Sequence, residues 1–221
     1  CRRLEGVCDG LDEVRWRVIL VNDGSRDGSL ETMLQWVRKN DRFAVVDLSR
    51  NFGHQAAIAA GLANADGDAV VLMDGDLQDP PELIPELLEK WKEGKQVVMC
   101  RRKSRTERGI RRLGFDLFHR LFSLISDFPI PSQVGIFSLL DREVVRELNR
   151  LAEQNRFFPG LRSWVGYRQG AVTYDRDDRA AGAPKQSLRR LVRYALDAVF
   201  SFSYKPLRIM TRSEERRVGK E

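Results

Sequence analysis

Cysteine and histidine are scarce in this sequence of 221 residues, which contains three cysteines and two histidines. Cys1, Cys8 and Cys100 show no CxxC spacing, and the histidines do not cluster beside them. This scarcity argues against a disulfide framework or a zinc site, and it fits a reducing compartment. Proline is also sparse, at 8 residues, and 42% of the chain is hydrophobic. We therefore expect one sizeable core rather than a disordered or fibrous chain.

Long apolar runs and an excess of negative charge are also missing. No run of about 18 apolar residues occurs, so we expect no transmembrane helix within this sequence. The 38 Lys and Arg outnumber the 32 Asp and Glu, giving a net charge of +6. A basic balance favours a phosphate-rich ligand or an anionic membrane surface as a partner. A mildly basic soluble domain without such a partner is the alternative.

Predicted strands and helices alternate along the first hundred residues. The predicted strands lie at 14–21, 43–48, 69–73 and 96–100, and the predicted helices begin at residue 29 or lie at 53–65 and 80–94. The strand at 69–73 is apolar without alternation, which is typical of a parallel strand that is covered on both faces. The alternation predicts an α/β fold with an open, mostly parallel sheet flanked by helices.

Carboxylates follow two of these strands. Asp23 lies in VNDGS, and Asp74 and Asp76 lie in VLMDGDLQDPPE, residues 71–82. Ligands of such sheets bind beyond the carboxyl ends of the strands. Two carboxylates this close repel each other unless a cation lies between them, and Mg²⁺ or Mn²⁺ with a diphosphate suits them. The alternative is that they only cap the following helix, although Asp79 is better placed for that role.

Five blocks of the sequence resemble one known family when taken in order: VNDGSRDGS, SRNFGHQAAIAAGL, VLMDGDLQDPPELI, NRFFPGLRSWVGYRQ and SFSYKPLR. They resemble the family 2 glycosyltransferases that load a sugar onto a polyprenyl phosphate, including the bactoprenol glucosyltransferases and the dolichyl-phosphate mannose synthases. The likeness covers about residues 5 to 211. It implies a GT-A fold, a Rossmann-like sheet that binds a nucleotide sugar and a divalent cation. It also implies hexosyl transfer with inversion.

The resemblance implies roles for individual residues. Asp23 is similar to the family's contact to the donor base or ribose, and Asp74 and Asp76 are similar to its catalytic DxD pair. Asp74 also belongs to the implied donor site, whereas Asp76 is the preferred direct ligand of Mg²⁺ or Mn²⁺. Gln78 is similar to a position that joins the metal shell. Such a metal absorbs the charge that develops on the leaving nucleoside diphosphate.

Basic residues resemble the acceptor side of the family. The run CRRKSRTERGIRR, residues 100–112, follows a predicted strand, and guanidinium groups suit an incoming phosphate. Part of this run is expected to be a solvated face. The residues assigned to the acceptor phosphate are Arg101, Arg102, Arg112, Arg156, Arg179 and Lys185. His54 is expected to be a loop residue rather than a catalytic base, and Trp164 and Tyr167 are expected to be core aromatics.

Three segments are expected along the chain. They are a glycosyltransferase domain at 1–187 that lacks the family's first strand, an interfacial helix at 188–211, and an adapter-like, non-native tail at 212–221. The helix is basic and aromatic, and we expect it to lie on the cytoplasmic leaflet of a bacterial inner membrane. An amphipathic helix packed on the domain is the alternative. The expected partners are a UDP- or GDP-linked sugar, a polyprenyl phosphate and an anionic membrane surface, with no nucleic acid; a homo-oligomer is left open.

Ile136 departs from the family pattern. The block at VGIFSLLD commonly reads Gly-Asp-Phe in the bactoprenol branch, whereas Ile136 follows Gly135 here. A phosphate monoester has a second pKa of about 6, so it is largely dianionic at neutral pH and needs no strong general base. Two alternatives stay open. One is a catalytically impaired fragment that binds a sugar nucleotide. The other is a haloacid-dehalogenase-like phosphohydrolase, for which Gln78 stands where Thr or Val is expected.

Overall fold

A computed structural model describes residues 1–12, 14–76, 78–102, 134–151 and 157–174, which all belong to one compact unit. In chain order the elements are α1 (Arg2–Asp9), β1 (Val18–Asn22), α2 (Ser29–Lys39), β2 (Phe43–Asp47), α3 (His54–Ala63), β3 (Ala69–Leu72), a 3₁₀ turn (Pro81–Leu83), α4 (Ile84–Lys92), β4 (Val97–Arg102), β5 (Val134–Asp141), α5 (Arg142–Arg150), α6 (Phe158–Trp164) and β6 (Gln169–Tyr174). The predicted α/β class is confirmed. The predicted interfacial helix at 188–211 and the tail at 212–221 lie outside the described residues.

The first strand is shorter than its apolar run. The prediction began at residue 14, but β1 begins at Val18, which pairs with Phe43 of β2. Residues 41 and 42 form a turn immediately before β2, so the segment before Val18 has no parallel partner on that strand. Sequence composition does not reveal where β1 begins, because the start of the strand depends on where its neighbour, β2, can pair with it.

The described strands form both parallel and antiparallel pairs. β1 is parallel to β2, and β4 is parallel to β6. β5 lies between β3 and β4 and is antiparallel to both, in the order β3-β5-β4-β6. Within the described residues, β1 and β2 form a separate two-stranded sheet, and the four-stranded sheet is mixed, so the prediction of one mostly parallel sheet needs this correction. The apolar block VGIFSLLD forms β5, and its composition does not indicate its direction.

The core lies against the four-stranded sheet. A cluster of buried side chains joins α4 to the sheet and consists of Leu87, Val98, Cys100, Phe137, Leu139, Val172 and Tyr174. Each large apolar side chain of this kind stabilises the fold by about 1.5–3 kcal/mol through burial. This core holds β4 and β6 in place, and with them the polar residues at the ends of these strands. Within the described ranges, none of the helices combines the length and apolar character that crossing a membrane requires.

Candidate functional site

The carboxylate of Asp23 holds the loop that precedes α3. Its Oδ1 accepts a hydrogen bond from the backbone N–H of Phe52 at 2.7 Å, and its Oδ2 accepts one from Gly53 at 3.0 Å. The side-chain amide of Asn51 donates to the Asp23 carbonyl oxygen at 3.0 Å. Each carboxylate oxygen has a further lone pair. A hydroxyl or N–H of a nucleotide can therefore share this carboxylate without displacing the loop.

Gly24 permits this close approach between the loops that follow β1 and β2. Its φ is +61, and a Cβ at this position would lie 2.4 Å from the carbonyl carbon of Arg50 and from the amide nitrogen of Asn51. Asn22 braces the same corner, because its side-chain amide donates to Asp47 Oδ1 at 2.7 Å. The VNDGS block therefore folds as one rigid corner at the carboxyl ends of two parallel strands.

His54 contacts the DxD loop, which sequence reasoning did not anticipate. Its Nε2 lies 3.1 Å from Asp74 Oδ1, and this hydrogen bond, with the charges of Asp74 and Asp23, raises the pKa of His54 above its ordinary 6.5 against the opposing effect of burial. His54 is the first residue of α3, so the expectation that it is a loop residue is wrong. A signal was available in the chain order, because α3 follows β2 and its first residue lies beyond the carboxyl end of a strand, where ligand-binding residues of such folds gather.

Asp76 and Gln78 lie together beyond β3. The Asp76 carboxylate is exposed, and its Oδ1 accepts a hydrogen bond from the Gln78 N–H at 3.1 Å. Gln78 itself is only 7% exposed. The loop thus brings together three of the predicted site residues, Asp74, Asp76 and Gln78.

The oxygen groups of this loop fit a hard divalent cation. In the described part of the chain, no group of three or more His, Cys, Asp or Glu side chains is arranged to hold a metal. Mg²⁺ does not require such a group, since one or two carboxylates plus substrate phosphates usually bind it. Because His54 engages Asp74 Oδ1, Asp76 is the more accessible carboxylate for a cation.

Asp79 does not cap the following helical segment. It is fully buried, its Oδ1 accepts a hydrogen bond from the Tyr174 hydroxyl, and Arg102 Nη2 lies 3.6 Å from the same oxygen. The expectation of a cap is therefore wrong. The physical reason is that the helical segment begins at Pro81 with Pro80 at its N-cap position, so Asp79 lies one residue too early to cap it.

The predicted acceptor arginines divide between described and undescribed residues. Arg101 and Arg102 end β4, and consecutive side chains of a strand point to opposite faces. Arg102 approaches Asp79 with its side chain 31% exposed, whereas Arg101 is exposed. The other assigned side chains lie outside the described residues: Arg112, Arg156, Arg179 and Lys185.

Arg162 is a buried cation that sequence reasoning missed. It is 1% exposed, and it donates from Nη1 to Ser138 Oγ at 2.9 Å and from Nη2 to the Gly135 carbonyl oxygen at 3.2 Å. Burial lowers its pKa to about 10. Its sequence context does not distinguish it from a surface arginine.

Trp164 and Tyr167 are not core aromatics, contrary to expectation. Trp164 is 54% exposed, because α6 buries Phe158, Leu161 and Arg162 and leaves Trp164 outside that face. Tyr167 is half-buried. The short α6 therefore turns its cation inward and its largest aromatic residue outward, which a hydrophobicity pattern cannot predict.

An α/β fold with polar loops beyond the carboxyl ends of its strands defines a class of ligand-binding α/β domains. Within that class, residues 2–148 match the family described as Glycosyl transferase family 2, and the chain belongs to this family. Its predicted GT-A fold is confirmed.

Two curated relatives and one solved structure show the extent of the likeness. The chain is 45% identical over 209 residues to the uncharacterized glycosyltransferase YkcC of Bacillus subtilis, covering 94% of this chain and 64% of that protein. It is 40% identical over 196 residues to a bactoprenol glucosyl transferase of Shigella phage SfV, covering 88% of this chain and 64% of that protein. The chain thus spans less than two thirds of the length of these relatives. A mannosyltransferase from Pyrobaculum calidifontis, solved in complex with GDP-Man and Mn²⁺, shares the fold with a TM-score of 0.50 at 18% identity, covering 81% of this chain and 55% of that chain.

Proposed function

We propose that this protein transfers a hexose from a UDP- or GDP-linked sugar to a polyprenyl phosphate at the cytoplasmic face of a bacterial inner membrane. The observation that carries the proposal is the loop beyond β3, in which the Gln78 N–H donates to Asp76 and Asp74 contacts His54, the residue that follows the corner built on Asp23. Family membership supports sugar transfer. The relative named as a bactoprenol glucosyl transferase supports a lipid phosphate as the acceptor.

The donor side is proposed to use Asp23, Asp76 and Gln78. Asp23 would bind the base or ribose while it keeps the adjoining loop in place, since each of its oxygens can accept a second hydrogen bond. Asp76 would hold Mg²⁺ or Mn²⁺, with Gln78 in the metal shell. When bound, the cation supplies stabilisation of the negative charge on the leaving diphosphate. Asp74, oriented by His54, would face the donor from the same loop.

The acceptor side is proposed to use arginines and no general base. Arg102 is partly exposed at the end of β4, where its guanidinium suits a phosphate. A phosphate oxygen of the acceptor forms the new bond to the anomeric carbon as the bond from that carbon to the donor diphosphate breaks. The bonding electron pair leaves with the nucleoside diphosphate. Because the acceptor oxygen is already anionic, no proton has to move, and the reaction does not require an acidic side chain at the position of Ile136.

The experiment that tests this function identifies a product. The protein is incubated with undecaprenyl or dolichyl phosphate, Mg²⁺ or Mn²⁺, and a panel of UDP- and GDP-linked hexoses, and the lipid fraction is analysed by mass spectrometry. A lipid heavier than the acceptor by one hexose is expected, and it should be absent when EDTA replaces the metal. Donor binding without any lipid product would contradict the proposal and support the impaired, sugar-nucleotide-binding alternative. A covalent phosphoenzyme trapped with beryllium fluoride would instead support the phosphohydrolase alternative.

A further inference from the structure

Asp79 is a buried carboxylate that joins the loop beyond β3 to the ends of two strands. It is 0% exposed, and Tyr174, the last residue of β6, donates its hydroxyl to Asp79 Oδ1. Arg102, the last residue of β4, has its Nη2 3.6 Å from that oxygen, and its Nε donates to the Tyr174 hydroxyl oxygen at 3.3 Å. Arg102 lies opposite Tyr174 in the parallel pair of β4 and β6. Both partners of Asp79 are therefore fixed by the sheet.

The stability of the fold alone does not account for this arrangement. Among the residues that the structure describes, Asp79 Oδ2 is buried and has no hydrogen-bond partner, so the carboxylate is only partly compensated for its loss of water. Replacing buried ionic groups by apolar ones of similar volume is often neutral or stabilising. What Asp79 supplies is a fixed position. The Tyr174 hydroxyl stays protonated and can donate to Asp79 at neutral pH. Burial, together with the hydrogen bond to Asp79, raises the pKa of Tyr174 to about 12.

The position that Asp79 fixes is that of the proposed metal ligands. Asp79 directly follows Gln78 in the chain, and the Gln78 N–H donates to Asp76 Oδ1 at 3.1 Å. One peptide bond and one hydrogen bond therefore separate the buried carboxylate from the exposed one. The loop is held at its other end by the contact of 3.1 Å between His54 and Asp74. The contacts of Asp74 with His54 and of Asp79 with Tyr174 therefore lie on either side of Asp76 in the chain.

We propose that Asp79 and Tyr174 are positioning residues that fix the metal-binding loop, with the Tyr174 hydroxyl as the anchor. This inference rests on the proposed function, because it takes the Asp76 loop as the metal site. Neither residue needs to touch the cation or the donor. Partners that orient metal ligands from behind typically change metal affinity by about 10- to 100-fold when they are removed.

Tyr174→Phe tests the inference because it removes only the hydroxyl. We would titrate Mn²⁺ into the protein in the presence of UDP, and separately of GDP, and measure the Kd of the metal by calorimetry. The Kd should rise by about 10-fold or more in Tyr174→Phe. The matched control is Tyr167→Phe, which removes a hydroxyl from the half-buried tyrosine that precedes β6. The control should leave the Kd of the metal unchanged.

Thermal unfolding of each variant separates positioning from general destabilisation. If Tyr174→Phe lowers the melting temperature, the titration is done at a temperature at which both proteins are folded. A Kd for Mn²⁺ within about 2-fold of wild type would overturn the inference, because that change is smaller than the loss of one hydrogen bond usually causes. This holds whether or not the melting temperature falls. If wild type forms the lipid product and Tyr174→Phe leaves the Kd unchanged, the inference is refuted while the proposed function stands. Failure of wild type to bind Mn²⁺ with either nucleotide would refute both the inference and the metal site on which it rests.

Discussion

Gly24→Ala should force apart the two loops that meet at Asp23. A Cβ at residue 24 would lie 2.4 Å from atoms of Arg50 and Asn51, whereas real Cβ atoms essentially never come within 3.0 Å of a neighbour. The clashing atoms belong to the backbone, so no side chain can rotate out of the way. The loop before α3 has to move as a whole, and with it the N–H groups of Phe52 and Gly53 that bind the Asp23 carboxylate.

The expected cost of this substitution has two parts. A left-handed backbone conformation costs a residue with a Cβ about 1–2 kcal/mol, and overpacking adds about 1–3 kcal/mol. The sum is about 2–5 kcal/mol. Ordinary domains have a free energy of unfolding of about 5–15 kcal/mol, so this loss is a large part of it. Nucleotide affinity should also fall, because the displaced loop no longer orients Asp23.

Gly53→Ala is the matched control for Gly24→Ala. Gly53 also has a positive φ, of +97, but a Cβ there would meet nothing within 4 Å. It should therefore show backbone strain of about 1–3 kcal/mol without the clash. Urea unfolding would give the free energies of unfolding of both variants, and calorimetry with UDP or GDP would give nucleotide affinity. A loss of stability below about 2 kcal/mol in Gly24→Ala, or wild-type nucleotide affinity in that variant, would refute the reasoning.

Three further predictions concern the site. Asp76→Asn should reduce the initial rate of sugar transfer by about 100-fold or more, since it weakens metal-borne stabilisation of the leaving group; an undiminished rate would contradict this role. Ile136→Asp should change the same rate by less than about 10-fold, because a dianionic acceptor gains little from a base that elsewhere contributes about 100- to 10,000-fold; a gain of orders of magnitude would show that a needed base is absent. The pKa of His54, measured by NMR, should lie above 6.5, since the hydrogen bond to Asp74 raises it. Asp74→Asn should lower the pKa of His54. The stability that this pair contributes should be fully present below about pH 6.5 and lost as the pH rises through the raised pKa; a His54 that titrates below 6.5 would exclude the contact in solution.

Sequence patterns predicted the parts of the fold that depend on local chemistry. The apolar run at 69–73 became β3 (Ala69–Leu72), and Asp74 and Asp76 follow that strand as expected. Parallel strands that alternate with helices bring their carboxyl ends to one edge. The structure places β1 and β3 in separate sheets. The loops that carry Asp23 and the DxD pair are instead linked through residues 52–54, since Asp23 accepts hydrogen bonds from Phe52 and Gly53 and His54 contacts Asp74.

The contacts that sequence reasoning missed join residues far apart in the chain. Asp79 and Tyr174 are 95 residues apart, and neither residue carries a local signal for the other. The inward orientation of Arg162 likewise depends on Ser138 of β5, 24 residues earlier. Local patterns report which face of an element is apolar, but pairing between elements decides which polar side chains are enclosed. The direction of β5 escaped prediction for the same reason.

The central claim is that Asp76 and its loop support transfer of a sugar to a lipid phosphate. Its most direct test is the rate at which nucleoside diphosphate is released from the donor with and without polyprenyl phosphate, in wild type and in Asp76→Asn. Release that requires both the lipid phosphate and a divalent cation, and that is lost in Asp76→Asn, is the predicted result. Release that proceeds equally without the lipid acceptor, or that persists in Asp76→Asn, would contradict the account.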